Sequence, residues 1–193
     1  MKNVKFLPWV GNQYRNNKTR LLLLGESHYS DSPQSNHFTQ ELIEQYLDGE
    51  YRHRYWTQII QLLSGAPHGE VNSKEAIQPY AFYNFIQEIV SDSPEVKPTR
   101  KMIDDSIPAF WEVIEELQPT HILVLSKRLW DYLPAGNGFD DAPLLWDGQD
   151  RDTWVYPSKI NPIYVTWVRH PSYGFNALTW APLVQLFLER SRK

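Results

Sequence analysis

Three unbroken apolar runs stand out along the chain, at residues 19–25, 120–126 and 162–168. Each is four to seven residues of Leu, Ile, Val and aromatic side chains bounded by polar or turn residues. Continuous rather than alternating apolar runs predict strands covered on both faces, as in parallel α/β sheets. Between them the apolar period changes to that of a helix. Phe38, Leu42, Ile43, Tyr46 and Leu47 share one face, as do Tyr55, Trp56, Ile59, Ile60 and Leu63. A longer stretch carries Met102, Ile103, Ile107, Phe110, Ile114 and Leu117 before Pro119 stops it. A last helix is predicted over residues 177–190, with Leu183, Leu186 and Phe187 inward. Residues 80–85 fit either a fourth strand or the start of a helix. Residues 133–162, rich in Pro, Gly and Asp, read as loops around one short strand at 153–156, and residues 91–99 as an exposed loop. Strands alternating with helices predict a three-layer α/β sandwich with a mainly parallel sheet.

Length places residues 1–193 in a single domain large enough to bury its own core. The absence of cysteine excludes disulfides, iron–sulfur clusters, thiolate zinc and a thiol nucleophile. A formal charge of −4 excludes a broadly basic coat for nucleic acid or anionic membrane. No run approaches the roughly 20 apolar residues of a membrane span, and the N-terminus has no signal-peptide pattern, so the expectation is a cytoplasmic protein with no membrane partner. Eight Trp, 11 Tyr and 8 Phe predict a ring-rich core or ring-walled pocket. Trp56 and Trp111 fall on apolar helix faces and read as core. Trp130, Trp167, Trp9 and Trp180 read as candidate walls.

In parallel sheets, ligands bind outside the carboxyl ends of the strands, near the point where strand order reverses. Two predicted strands end in dense polar groups. The first ends in Gly25-Glu26-Ser27-His28-Tyr29, and the last in Arg169-His170-Pro171-Ser172. A glycine there permits close backbone approach to a ligand. The proline after His170 favours extended geometry and aims the imidazole outward, where it can donate to a developing oxyanion. Short basic groups at Arg52-His53-Arg54, Lys127-Arg128 and residues 190–193 read as solvated faces.

A Gly-containing loop after the first strand, paired with a His-Pro-Ser loop after the last, resembles the uracil-DNA glycosylase superfamily. Ala81-Phe82-Tyr83-Asn84 looks like that family's base-reading segment, and Leu125-Ser126-Lys127-Arg128-Leu129-Trp130 like its third strand and following helix. The match in order spans residues 18–190. It implies a central four-stranded, mainly parallel sheet and hydrolysis of the N-glycosidic bond of uracil or another damaged base. The implied partner is DNA, single-stranded or damaged, and the implied reaction uses no metal and no organic cofactor. By the same resemblance, Glu26 is a polarising or water-contacting carboxylate, Tyr29 packs against C5 of a pyrimidine, and Asn84 reads its edge beside Gly25. His170 stabilises the departing base, and Ser172 contacts a phosphate. The chain departs from the pattern at Ser27, which stands where several branches carry a catalytic Asp or Asn, at His28 in place of proline, and at Tyr173-Gly174 after the His-Pro-Ser step.

Two other readings compete. One is a member of the same fold that binds a nucleobase, nucleotide or partner without cleavage, in keeping with Ser27 and the acidic balance. The other is a serine hydrolase using Ser27 and His170, which lacks an orienting carboxylate just before His170 and the second glycine of a nucleophile elbow. A metal hydrolase is weaker, because the six histidines lack helical ligand spacing.

Overall fold

The computed structural model describes residues 1–172 and 174–190. Its centre is the set of apolar runs, now strands: β2 (Leu21–Gly25), β3 (Ala81–Asn84), β4 (His121–Val124) and β7 (Ile163–Trp167), every residue of which is buried. They run parallel in the spatial order β3-β2-β4-β7. The ambiguous segment at 80–85 is therefore a strand. Side chains alternate across the sheet, so Leu21, Leu23 and Leu123 enter one core layer while Leu22, Leu24, Ile122 and Val124 enter the other.

Helices cover both faces. One layer is built from α1 (Phe38–Asp48), α2 (Arg54–Ser64) and α6 (Ala177–Leu188), the other chiefly from α4 (Arg100–Leu117). This follows from strand order. The crossover from β2 to β3 moves one way along the sheet and that from β3 to β4 moves back. Right-handed crossovers in opposite directions must pass on opposite faces. The short helices α3 (Ser73–Ala76) and α5 (Lys127–Trp130) complete the set. Gly49 and Gly65 end α1 and α2 at positive φ, which a glycine adopts without strain.

The expected four-stranded sheet is corrected. It is a mixed sheet of seven strands in the order β1-β3-β2-β4-β7-β6-β5. The two-residue β1 (Trp9–Val10) adds antiparallel to β3. On the far edge, residues 133–162 are mostly not loop. They form a hairpin of β5 (Phe139–Trp146) and β6 (Gln149–Tyr156), antiparallel to each other and to β7. The turn residues at its tip and Pro143 within β5 masked the strand pattern, and both strands are half exposed, so their apolar content is low. The hairpin docks by an internal cation–π contact. The Arg151 guanidinium lies 5.0, 5.2 and 5.6 Å from the rings of Trp146, Trp180 and Trp167. Among the described residues, no helix is long and apolar enough to cross a membrane.

Candidate functional site at the strand ends

Strand order reverses between β2 and β4, and the connections leaving their carboxyl ends run in opposite directions. Glu26 leaves β2 on one side of the gap and Arg128 enters with α5 on the other, its helix capped by the Ser126 hydroxyl accepting from the Leu129 amide. The two side chains meet as a forked ion pair. Arg128 Nε donates to Glu26 Oε1 at 2.7 Å, and Nη2 to Oε2. The carboxylate is 6 % exposed and the guanidinium 35 %, so the arginine covers the acid and keeps its own outer edge in solvent. The hydrogen bond and charge of Glu26 hold Arg128 above its already high pKa.

Gly25 lies opposite Asn84 in the β2–β3 register. A Cβ at position 25 would stand 2.1 Å from Asn84 Oδ1, 2.7 Å from Phe82 Cζ and 3.2 Å from the Tyr55 hydroxyl. Three side chains thus close over a spot only glycine can vacate. Tyr55, at the start of α2, continues the wall to His170, with ring centroids 5.3 Å apart. Burial raises the Tyr55 pKa and the Glu26 charge adds to this, so the phenol stays protonated. His170 keeps an exposed edge, yet packing of its ring removes enough water to lower its pKa. Glu26 opposes that shift and Arg128 adds to it. Gly25, Glu26, Asn84 and His170 therefore share one neighbourhood, joined by Tyr55, Phe82 and Arg128.

The other expected site residues lie differently. The loop after Gly25 pairs with the loop after β3, through Ile86 N–H to Glu26 O and Val90 N–H to His28 O. The Ser27 hydroxyl donates to the Tyr29 hydroxyl at 3.2 Å, which donates to Val96 O at 3.0 Å. Tyr29 is thus tied to the 91–99 loop. Ser172 is exposed, in a turn where its N–H donates to His170 O at 2.7 Å. Tyr173 and residues 191–193 lie outside the described residues. His28 turns inward, 5 % exposed, between Phe6 and Phe38. Its Nε2 is 2.8 Å from the Thr39 hydroxyl. The Asn84 amide nitrogen lies 3.2 and 3.1 Å from the two ring nitrogens, which places it across the ring rather than in line with either lone pair. Desolvation lowers the His28 pKa to about 4, so the ring is neutral at pH 7.

Two side chains of this neighbourhood are not marked by the sequence pattern: Lys127-Arg128 reads as a solvated patch, and Tyr55 as a core-facing helix residue. The strand-end rule applied to β4 would have raised Arg128. The expected tryptophan walls do not form here: Tyr55 is the ring beside His170, and Phe82 is core at 2 % exposure. Trp9, Trp167 and Trp180 are core, and Trp130 lines a different cavity. That cavity, about 660 Å3, lies between the hairpin and the loop after α5 and is bordered by Asp140, Asp141, Asp150 and Asp152 beside Trp154 and Tyr156. Its carboxylates would repel a phosphate chain, so it is no rival for a nucleic-acid site. No group of three or more His, Asp or Glu among the described residues is placed to hold a metal ion. No protein-family model matches the chain, and no curated protein matches it either.

Proposed function

We propose that the strand-end crevice takes a single extruded nucleobase, and that the chain is a DNA glycosylase-like N-glycosyl hydrolase acting on uracil or another damaged base. What supports this reading is that Glu26, gripped by Arg128, and His170, packed on Tyr55, lie near Gly25 and Asn84 at the point where strand order reverses. Cleaving an N-glycosidic bond builds positive charge on the sugar and negative charge on the departing base. A carboxylate facing the first and a donor facing the second lower the barrier most when both are fixed beforehand. Glu26, held rigid by Arg128, would supply the carboxylate. His170 would donate to the base, with the exposed edge of Arg128 adding positive charge beside it. Tyr55 would pack the ring.

A second reading, base binding without cleavage, is favoured by two specific contacts. Both Glu26 carboxylate oxygens are already engaged by the Arg128 guanidinium, and the Ser27 hydroxyl is engaged by Tyr29. An assay with uracil- or hypoxanthine-containing DNA, single- and double-stranded, at enzyme excess separates them. Abasic product supports hydrolysis, and His170→Ala should then cost at least roughly tenfold in rate, the scale of one lost donor. No abasic product from folded protein, with the free base still bound, leaves the second reading in place.

A further inference from the structure

The segment Tyr51-Arg52-His53-Arg54-Tyr55 alternates rings and arginines. In the structure its rings form a ladder that ends at the candidate site. Tyr51 and His53 centroids are 5.7 Å apart, His53 and Tyr55 6.3 Å, and Tyr55 and His170 5.3 Å. The first two steps are edge-to-face, and His53 is exposed while Tyr51 and Tyr55 are half-buried. Tyr51 is pinned by its hydroxyl donating to Leu42 O at 2.9 Å.

The arginines make this more than a surface aromatic cluster. Arg52 and Arg54 are exposed, and among the described residues neither has an ion-pair partner. Both stand at the amino end of α2, whose dipole disfavours positive charge, and the first turn holds no acidic residue to offset it. Three other basic residues noted in the sequence are paired: Lys127 with Asp131, Arg128 with Glu26 and Arg190 with Asp141. Arg169, also exposed and unpaired among the described residues, stands next to His170 at the far end of the ladder.

We propose that this ladder is a track for single-stranded DNA, with bases flanking the extruded one stacked on Tyr51 and His53 and their phosphates met by Arg52, Arg54 and Arg169. Rings spaced along a surface with cations between them fit a single strand, because stacking needs a base whose face is not already covered by a neighbouring pair. So few cations also suit a single strand better than a duplex, whose affinity rests on many phosphate contacts. This deepens the reading of the crevice as a base site and names its substrate as single-stranded.

The test is fluorescence anisotropy with a labelled thymidine oligonucleotide of about fifteen residues, which carries no uracil, and with its blunt duplex. Binding is then read independently of cleavage. A failure of base hydrolysis would show as missing abasic product with strand binding intact. The single strand should bind at least about tenfold more tightly than the duplex. The double variant Arg52→Ala/Arg54→Ala should lose affinity at least about tenfold and lower the magnitude of the log–log salt slope by about 1.4, at about 0.7 per lost phosphate contact. His53→Ala should cost about fivefold or more at unchanged salt slope, the lower bound for one stacked base. All three side chains are exposed, and an unchanged thermal midpoint confirms folding in each variant. Equal affinity for strand and duplex, absence of binding by the parent chain, or variants that bind like the parent would each overturn the proposal.

Discussion

Lowering the pH from about 7 to about 5 should destabilise the fold by an amount set by two buried histidines. His28 and His121 are 5 % and 4 % exposed, and desolvation takes each from the usual 6.5 to about 4. His121 Nε2 donates to Arg190 O at 2.9 Å while Nδ1 lies 2.9 Å from the Thr120 hydroxyl, contacts that fit a neutral ring. With the folded pKa below the unfolded one, the unfolded chain binds more protons between the two values. Stability is therefore complete above about pH 6.5 and is lost as pH falls toward 4. Between pH 7 and 5 each histidine removes about 2 kcal/mol, and the pair about 4. For a chain of this size that is a fall of roughly 8–16 °C in thermal midpoint. Urea unfolding followed by tryptophan fluorescence at both pH values measures it. His28→Gln and His121→Gln should each remove about half of the pH dependence. A change below about 1 kcal/mol in the parent chain, or a pH slope that the two substitutions leave undiminished, would refute the reasoning.

Two further outcomes probe the site as structure. Gly25→Ala places a methyl within 2.1 Å of Asn84 Oδ1 and should destabilise by about 1–3 kcal/mol, the usual range for overpacking; an unchanged urea midpoint would show that Asn84 and Phe82 give way freely. Arg128→Met leaves the 6 %-exposed Glu26 without its partner and should cost about 3 kcal/mol, while adding Glu26→Gln should restore part of it. A double-mutant cycle whose coupling falls below about 0.5 kcal/mol would mean the pair is a surface contact.

What was legible in the sequence follows the strength of burial. Strands β2, β4 and β7 are enclosed on both faces, so nearly every position is apolar, His121 and Thr166 excepted, and the runs stand out. Helices α1, α2 and α4 bury one stripe each, and their apolar period gave limits within a few residues. The hairpin was missed because β5 and β6 bury only scattered positions and hold Asp140, Asp141, Asp150 and Asp152 in extended backbone. Tertiary pairing with β7 overrides their low strand propensity. At the site, residues adjacent to strand ends could be named because position alone marks them. The inward turn of His28 and the pairing of Glu26 with Arg128 depend on contacts across 56 and 102 residues of chain. No local pattern carries such information.

The charge of −4 bears less on nucleic-acid binding than its sum suggests, because an approaching strand meets local charges. The acidic cavity is walled by Trp130, Trp154 and Tyr156, which belong with the core layer under α4. Arg52 and Arg54 stand at the start of α2, in the opposite layer. An approaching polyanion responds to the local field within about a Debye length, some 8–10 Å at ordinary salt, and not to the net total. It would therefore be turned away from the acidic cavity, and on the proposed track it would meet Arg52, Arg54 and Arg169. The cost of this economy is a small number of phosphate contacts, so affinity should depend only shallowly on salt and rest more on ring stacking than on charge. A strand held in that way is ordered by its bases, which is the condition under which one of them can be presented to the crevice at Gly25, Glu26 and His170.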